Sequence, residues 1–147
     1  MMTFKNFLES KSQEEDKDIL GTLSKIPPSH AALVKGYTFK LQGGNTLSDD
    51  DDHIGYVQED PKEIVVAAPW NYGREFTMLH EIGHRVYDKL SGDLKKRWAV
   101  IVYQTPKRQK QSPEELFCMA YAAAYSKHPP VIHYHKAWLK FIYNLPH

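Results

Sequence analysis

The chain has little of several features that would assign it to a particular class of protein. Its 147 residues include one cysteine, Cys118, so no disulfide can form within the chain. No apolar run is long enough to span a membrane, and the first residues do not match a secretory signal. With a formal net charge of +1 at pH 7, the chain has no general attraction for nucleic acid. We therefore expect no membrane or nucleic-acid partner, and either a cytoplasmic location or export by a non-classical route.

The size and composition of the chain fit one globular domain. Apolar residues make up 41% and charged residues 25% of the sequence, which is ordinary for a globular protein. A chain of this length can bury a substantial hydrophobic core. Because the sequence shows no internal repeat and no low-complexity linker, we expect a single domain over residues 1–147, in a monomeric protein.

One short motif carries most of the chemical information. Residues 80–84 read His-Glu-Ile-Gly-His and match the H-E-x-x-H pattern of zinc hydrolases. On a helix, His80 and His84 lie on one face about one turn apart, so both imidazoles can bind one metal ion. Glu81 follows the first histidine directly, where its carboxylate can act on water as a general base. The alternative is a pair of surface histidines on an ordinary amphipathic helix.

The residues around the motif favour a helix that borders a core. Residues 63–68 form an apolar, β-branched stretch that predicts a strand. Apolar residues then recur at helical spacing, at Phe76, Leu79, Ile82, Val86 and Leu90. Gly83 lowers helix stability by about 1 kcal/mol relative to alanine, so we expect a strand or a substrate to approach it closely. Arg85 is an unusual charged neighbour for the second histidine.

A catalytic zinc site normally has three protein ligands and one position for water. One common arrangement places a glycine three residues, and the third ligand six residues, after the second histidine. Those positions hold Tyr87 and Leu90, which excludes that arrangement. Residues 112–121 predict a second helix, on which Glu115 shares a face with apolar residues while Glu114 points about 100° away. Glu115 is therefore the better candidate for the third ligand.

Glu115 and Cys118 in the second helix also have ordinary structural interpretations. Ser112 and Glu115 fit a capping box, in which the glutamate side chain bonds back to the serine amide. Local sequence alone does not decide between the cap and the ligand. Cys118 is interpreted as a small core residue, because the site as predicted needs no thiolate.

These two helices together resemble the catalytic domain of the anthrax lethal factor-like zinc peptidases, a group that includes the Pro-Pro endopeptidases. The likeness rests on residues 79–84 with Val86 and Asp88, and on residues 115–117 followed by Ala120-Tyr121. It implies a toxin-like gluzincin, in which two histidines and a downstream glutamate bind zinc and a second glutamate is the general base. In this chain the implied metal ligands are His80, His84 and Glu115, and the implied base is Glu81.

The chain departs from this family at two places. The family has an acidic residue one turn after the glutamate ligand, where this chain has Met119, and Asp88 could partly take over its role of orienting a histidine. The family also has a tyrosine a few residues before that ligand, and this chain has Arg108 there and Tyr103 further upstream. We predict that Tyr103 or Arg108 stabilises the oxyanion, although a solvated basic turn also explains the loop at 104–111.

The complete pattern predicts a small zincin-like α+β domain. Strands are expected at 35–41, 54–57 and 63–68, in a short, mainly antiparallel sheet. A helical half containing the H-E-x-x-H helix and the Glu115 helix follows. The predicted function is zinc-dependent endopeptidase, with a peptide bound as an added strand at an edge formed by Val65 to Ala68. The alternative is a catalytically weak or inactive zincin-like module for binding or regulation.

Overall fold

The computed structural model describes residues 19–42, 55–67, 73–105, 111–126 and 135–146, and they form an α+β structure. Its elements are a helical stretch at 19–23 (α1), α2 (Pro28–Ala32), β1 (Thr38–Gln42), β2 (Gly55–Glu59), β3 (Lys62–Ala67), α3 (Gly73–Asp88), α4 (Gly92–Gln104), α5 (Pro113–Tyr125) and α6 (Lys136–Tyr143). The predicted α+β class is confirmed. None of the helices in these ranges combines the length and apolar content needed to cross a membrane.

The sheet is mixed, so the prediction of a mainly antiparallel sheet is wrong. Its strand order is β1-β3-β2, with β1 parallel and β2 antiparallel to β3. A tight turn joins β2 to β3 and forces that pair to be antiparallel, whereas β1 pairs with the opposite side of β3. The predicted edge at Val65 to Ala68 is also wrong, because residues 65–67 belong to the central strand and Ala68 lies outside the described residues. A fully buried Val65 agrees with that central position.

The core forms where α3 and α5 pack on each other and α3 packs on the sheet. Apolar side chains with less than 2% of their surface exposed come from all three: Ile64, Phe76, Met78, Leu79, Ile82, Phe117 and Tyr121. The apolar face predicted for the H-E-x-x-H helix is therefore buried, apart from a partly exposed Leu90. Burying each large side chain of this kind stabilises the fold by about 1.5–3 kcal/mol.

Trp98 of α4 fixes the position at which α5 begins. Its indole Nε1 donates a hydrogen bond of 2.7 Å to the carbonyl oxygen of Pro113, in the first turn of α5. Its ring is fully buried and meets the rings of Phe117 and Trp138 edge-on, at 5.6 and 5.5 Å between centroids. These contacts hold the first turn of α5, which carries Glu115, against the rest of the helical half.

Arg85, the unusual neighbour of the second histidine, joins α3 to β2. Its Nη1 donates to a carboxylate oxygen of Glu59 and to one of Asp88, each at 3.1 Å. Its guanidinium lies 5.3 Å from the centre of the Tyr37 ring, and the Tyr37 hydroxyl donates to Glu59. A charged side chain at this position is thus explained by packing and ion pairing that hold α3 against the sheet.

Gly83 lies at a close contact between α3 and α5. A Cβ atom at Gly83 would lie 3.1 Å from the Cα atom of Cys118 and 3.4 Å from the Cβ atoms of Cys118 and Tyr121. The predicted close approach is therefore present, but the approaching group is a helix and not a strand or a substrate. The missing side chain lets α5 approach the histidine face of α3.

Gly83→Val is expected to lower the stability of the protein and its affinity for metal. Overpacking a helix contact of this kind costs about 1–3 kcal/mol, and the gain in helix propensity over glycine offsets only a few tenths of that. Thermal unfolding and metal titration of the variant measure the two effects. Gly92→Val is the control, because within the described part of the chain a Cβ added at Gly92 meets no atom of a non-neighbouring residue within 4 Å. Its stability should therefore change by less than about 0.5 kcal/mol. Equal stability of the two variants would contradict the packing argument.

Candidate metal centre

Helix α3 presents His80 and His84 side by side at the edge of the core. Their ring centroids are 5.3 Å apart with planes at 74°, as expected for residues one turn apart on one face. His80 is 7% exposed and Glu81 is 3% exposed, whereas His84 is partly exposed. A carboxylate and an imidazole buried to this extent are unusual in a core, which points to a site with a chemical role.

Glu115 of α5 reaches both histidines. One oxygen of its carboxylate is 3.1 Å from Nε2 of His80, and the other is 3.2 Å from Nε2 of His84. The Ser112 hydroxyl accepts a hydrogen bond from the backbone amide of Glu115, so the serine half of the predicted cap is present. The glutamate side chain, however, bridges the two imidazoles. The structure thus brings together the three residues proposed from sequence as metal ligands.

The protonation of the site follows from these contacts. The hydrogen bond from His80, and to a smaller extent the one from His84, hold the pKa of Glu115 far below its ordinary range. Partial burial of the carboxylate opposes this effect. Burial would lower the pKa of His84, but the hydrogen bond to Glu115 and the charges of Glu81, Glu115 and Glu114 outweigh it and raise that pKa. Metal binding at His84 must displace a proton, so affinity for metal should increase with pH.

The metal-free protein should therefore be stabilised by the Glu115 pair mainly between about pH 5 and 6. The lowered pKa of Glu115 contributes stability that is fully present above the ordinary carboxyl pKa, near 4.3, and is lost as pH falls from there toward the lowered pKa. The raised pKa of His84 contributes stability that is lost as pH rises through and above about pH 6.5. Melting temperatures of the wild type and Glu115→Gln, measured in chelator from pH 3 to 8, should differ most inside this window. A difference that does not vary with pH would contradict the assignment.

Cys118 lies beside the same histidines. One ligand atom each of His80, His84 and Cys118 lie within 4.8 Å of one another, so these three residues could hold a metal ion. Cys118 is fully buried, as expected for the core residue predicted from sequence. Burial, and then the charges of Glu115, Glu81 and Glu114, raise the pKa of its thiol well above the usual value, which keeps the metal-free thiol protonated. Sequence reasoning missed this donor, although its spacing of three residues from Glu115 placed both on one helix face.

The outer nitrogens of the two histidines have different surroundings. Nδ1 of His84 lies 3.9 Å from a carboxylate oxygen of Glu114, a long contact that could orient the ring. Asp88, which the sequence suggested for that role, accepts a hydrogen bond from Arg85. Nδ1 of His80 is buried and has no hydrogen-bond partner among the described residues. This unpartnered nitrogen agrees with the presence of Met119 at the position where the family has an acidic residue that orients a histidine.

Tyr103 and Arg108 are the two residues predicted to stabilise an oxyanion. Tyr103 is on α4 and is 62% exposed, and its catalytic role remains a prediction. Arg108 lies outside the described residues. The electrophilic contribution to the site is therefore not assigned to either residue.

The donors fit a metal ion that prefers nitrogen, oxygen and sulfur. Ligand atoms around a tetrahedral Zn²⁺ with bonds of about 2.0–2.1 Å are about 3.3 Å apart. The nitrogen-to-oxygen distances at Glu115, 3.1 and 3.2 Å, are near that spacing, but each involves a different oxygen of the carboxylate. The described donors whose ligand atoms all lie within 4.8 Å of one another are His80, His84 and Cys118. Comparisons of the chain with models of protein families, with curated proteins and with solved structures find no match. Its function is therefore inferred from its own residues.

Proposed function

We propose that the protein is a zinc-dependent endopeptidase. The observation that carries the proposal is the meeting of His80, His84 and Glu115, which come from two helices, beside the buried carboxylate of Glu81. Two imidazoles and one carboxylate are a common ligand set of catalytic zinc, and they leave a position for water. A purely structural site would have no use for a carboxylate directly after the first ligand.

The chemistry assigned to the chain is general acid-base catalysis. A bound Zn²⁺ would supply Lewis acidity that activates water and polarises the scissile carbonyl. Glu81 accepts the proton that water loses on attack and later donates it to the leaving amine. The charge of Glu81 is among the causes that raise the pKa values of His84 and Cys118, which supports a role for its carboxylate beside them. Burial of Glu81 keeps this proton transfer apart from bulk solvent.

A peptide substrate would pair with an edge of the sheet as an added strand. Within the described sheet, β3 is central and the edges belong to β1 and β2. Of the two, β2 packs against α3, the helix that carries the histidines, and Glu59 in β2 contacts Arg85 directly after His84. We therefore assign the substrate to the edge of the described sheet that β2 forms.

The ligand set supports the relationship to the lethal factor-like gluzincins proposed from the sequence. The histidine pair on one helix and the glutamate at the start of a later helix follow the order of that family. Two features differ from what this relationship predicts. They are the parallel strand pair in the mixed sheet and the methionine at position 119.

A second candidate function is a module that holds metal without turnover. Two observations favour it: Cys118 lies within metal-ligand reach of both histidines, and Nδ1 of His80 lacks an orienting partner among the described residues. An imidazole without such a partner is a weaker and less fixed ligand. The retained carboxylate of Glu81 favours the endopeptidase.

Zinc content and peptide cleavage, measured on the same purified sample, test the proposal. We expect one zinc ion per chain, and cleavage products from a diverse peptide library that disappear with chelator and return with Zn²⁺. Stoichiometric zinc without cleavage of any peptide would exclude the endopeptidase and leave the metal-holding module. Failure to bind zinc would exclude both.

A further inference from the structure

A groove of about 610 Å³ lies between helices α4 and α6, which supply none of the proposed metal ligands. Val100 in this groove has 53% of its surface exposed, and Ala137 is exposed as well. Single exposed apolar residues are ordinary, but an apolar groove that the described chain leaves uncovered points to a binding partner. The apolar residues that line it are Leu94, Val100, Ile101, Ala137, Phe141 and Leu145.

The two walls of the groove are held together by buried aromatic residues. The fully buried ring of Trp98 in α4 lies 5.2 Å from the ring of Phe141 and 5.5 Å from that of Trp138, both in α6. The indole Nε1 of Trp138 donates a hydrogen bond of 2.9 Å to the hydroxyl of Thr105, at the end of α4. The groove is therefore formed before any partner binds, which lowers the entropic cost of binding.

The charged residues that line the groove are all cations. Lys96 and Arg97 belong to α4 and Lys140 belongs to α6, so each wall contributes positive charge. All three are exposed, and no acidic side chain in the described ranges forms an ion pair with any of them. Because the whole chain has a formal net charge of only +1, this positive charge is a local feature of the groove. It favours a partner with acidic side chains.

The shape of the groove favours a helix as that partner. Its lining extends from Leu94 to Ile101 along α4 and from Ala137 to Asn144 along α6. At 1.5 Å per residue each wall is about 10 Å long, which matches two turns of a third helix lying between them. Such a helix places apolar side chains three, four and seven residues apart in the groove. A flat lipid surface fits less well, since it takes up apolar side chains that project from a protein.

We propose that the groove between α4 and α6 binds an acidic amphipathic helix of a partner protein. The apolar side chains of the partner helix fill the groove, and its carboxylates lie opposite Lys96, Arg97 and Lys140. Two turns of helix bury less surface than a standard protein interface, so the dissociation constant should be in the micromolar range. Because the ion pairs are exposed, binding should weaken as salt is raised.

Fluorescence anisotropy of the full chain with a labelled synthetic helix tests this proposal. The probe is a peptide of leucine, glutamate and alanine, with leucines on one face, glutamates beside them and a hydrocarbon staple opposite the leucines to keep it helical. Its counterpart has lysine in place of every glutamate. We expect the glutamate peptide to bind at least about tenfold more tightly, by a margin that shrinks with salt. This comparison uses the wild type and so does not depend on the folding of a variant.

Variants of the groove locate the binding site. Lys96→Glu combined with Lys140→Glu reverses the charge of both walls and should weaken binding of the glutamate peptide by more than about tenfold. Lys35→Glu combined with Lys89→Glu is the matched control, because both lysines are exposed, lie outside the groove lining and give the same change in net charge. Val100→Asp should weaken binding to a similar extent. Zinc content and peptide hydrolysis should be unchanged in all of these variants.

Three results would overturn the proposal. They are no measurable binding of the glutamate peptide, equal affinity for the two peptides, and equal affinity of the groove variant and its control. Vesicles of anionic phospholipid, compared with vesicles of zwitterionic phospholipid, test the other kind of surface. Binding of anionic vesicles that Val100→Asp abolishes, without binding of the glutamate peptide, would assign the groove to a membrane and not to a helix.

Discussion

Glu81→Gln is expected to reduce peptide hydrolysis by about 10²–10⁴-fold while leaving zinc bound. Glutamine has nearly the same shape as glutamate, so it should fit the buried position, where Glu81 is 3% exposed. It cannot accept a proton from water. The ligands His80, His84 and Glu115 are unchanged, so metal content should remain at one ion per chain. Measurement of kcat/KM on the best library peptide, with zinc determined on the same samples, checks both halves of this expectation.

Glu63→Gln is the matched control for the loss of a buried carboxylate. Glu63 is in β3, and its side chain is 16% exposed and pairs with Lys40 at 2.9 Å. Because the lysine side chain is half exposed, this ion pair should contribute no more than about 1 kcal/mol. The control should hydrolyse peptide at the wild-type rate. Wild-type hydrolysis by Glu81→Gln would contradict the role of Glu81 as general base. An equal loss of hydrolysis in Glu81→Gln and Glu63→Gln would contradict it as well.

His84→Ala is expected to weaken zinc binding by more than about 100-fold and to abolish hydrolysis with it. Loss of a side chain that hydrogen-bonds to a metal ligand already lowers the affinity for the metal by about 10–100-fold. Loss of the ligand itself should lower that affinity further. His84 is partly exposed, so the fold should tolerate the smaller side chain better than it would at His80. Competition titration with a chelator measures the affinity, and thermal unfolding in the same chelator measures the effect on the fold.

His135→Ala is the matched control for the loss of an imidazole. His135 is the residue before α6, and its ring lies 5.2 Å from the ring of Trp138. It should change stability slightly and leave zinc affinity at the wild-type value. If the two variants bind zinc equally, the metal centre is elsewhere and the proposed function fails with it.

The parts of the site that sequence could predict are those set by local geometry. Two histidines four residues apart must share a helix face, and the apolar residues that follow a helical period must bury the adjacent face. The start of α5 also follows from local sequence, because the hydroxyl of Ser112 accepts a hydrogen bond from the amide of Glu115 and so caps the helix. The strands that flank the turn at 60–61 also follow from short-range pattern.

The parts that sequence could not predict depend on contacts between distant elements. Alternation of apolar residues predicts a strand but not its neighbours, so the sequence predicts an edge at Val65 to Ala68, whereas β3 is the central strand of the described mixed sheet. Sequence predicts that Cys118 is a core residue but not that it lies near the histidines, because only the packing of α5 on α3 brings it there. The charge at Arg85 likewise depends on distant residues, since its partners Tyr37 and Glu59 belong to the sheet region.

Sequence by itself determined that this protein has a helix able to present two imidazoles and a carboxylate in order. That follows from 3.6 residues per turn and needs no knowledge of the rest of the chain. Only the tertiary structure decided which carboxylate and which thiol lie near those imidazoles, and which strand is central in the described sheet. The reason is physical: intrahelical spacing is set by bonds between near neighbours, whereas the meeting of Glu115 and Cys118 with α3 depends on packing between elements far apart in the chain. One such contact is at Gly83, where a Cβ would lie 3.1 Å from the Cα atom of Cys118.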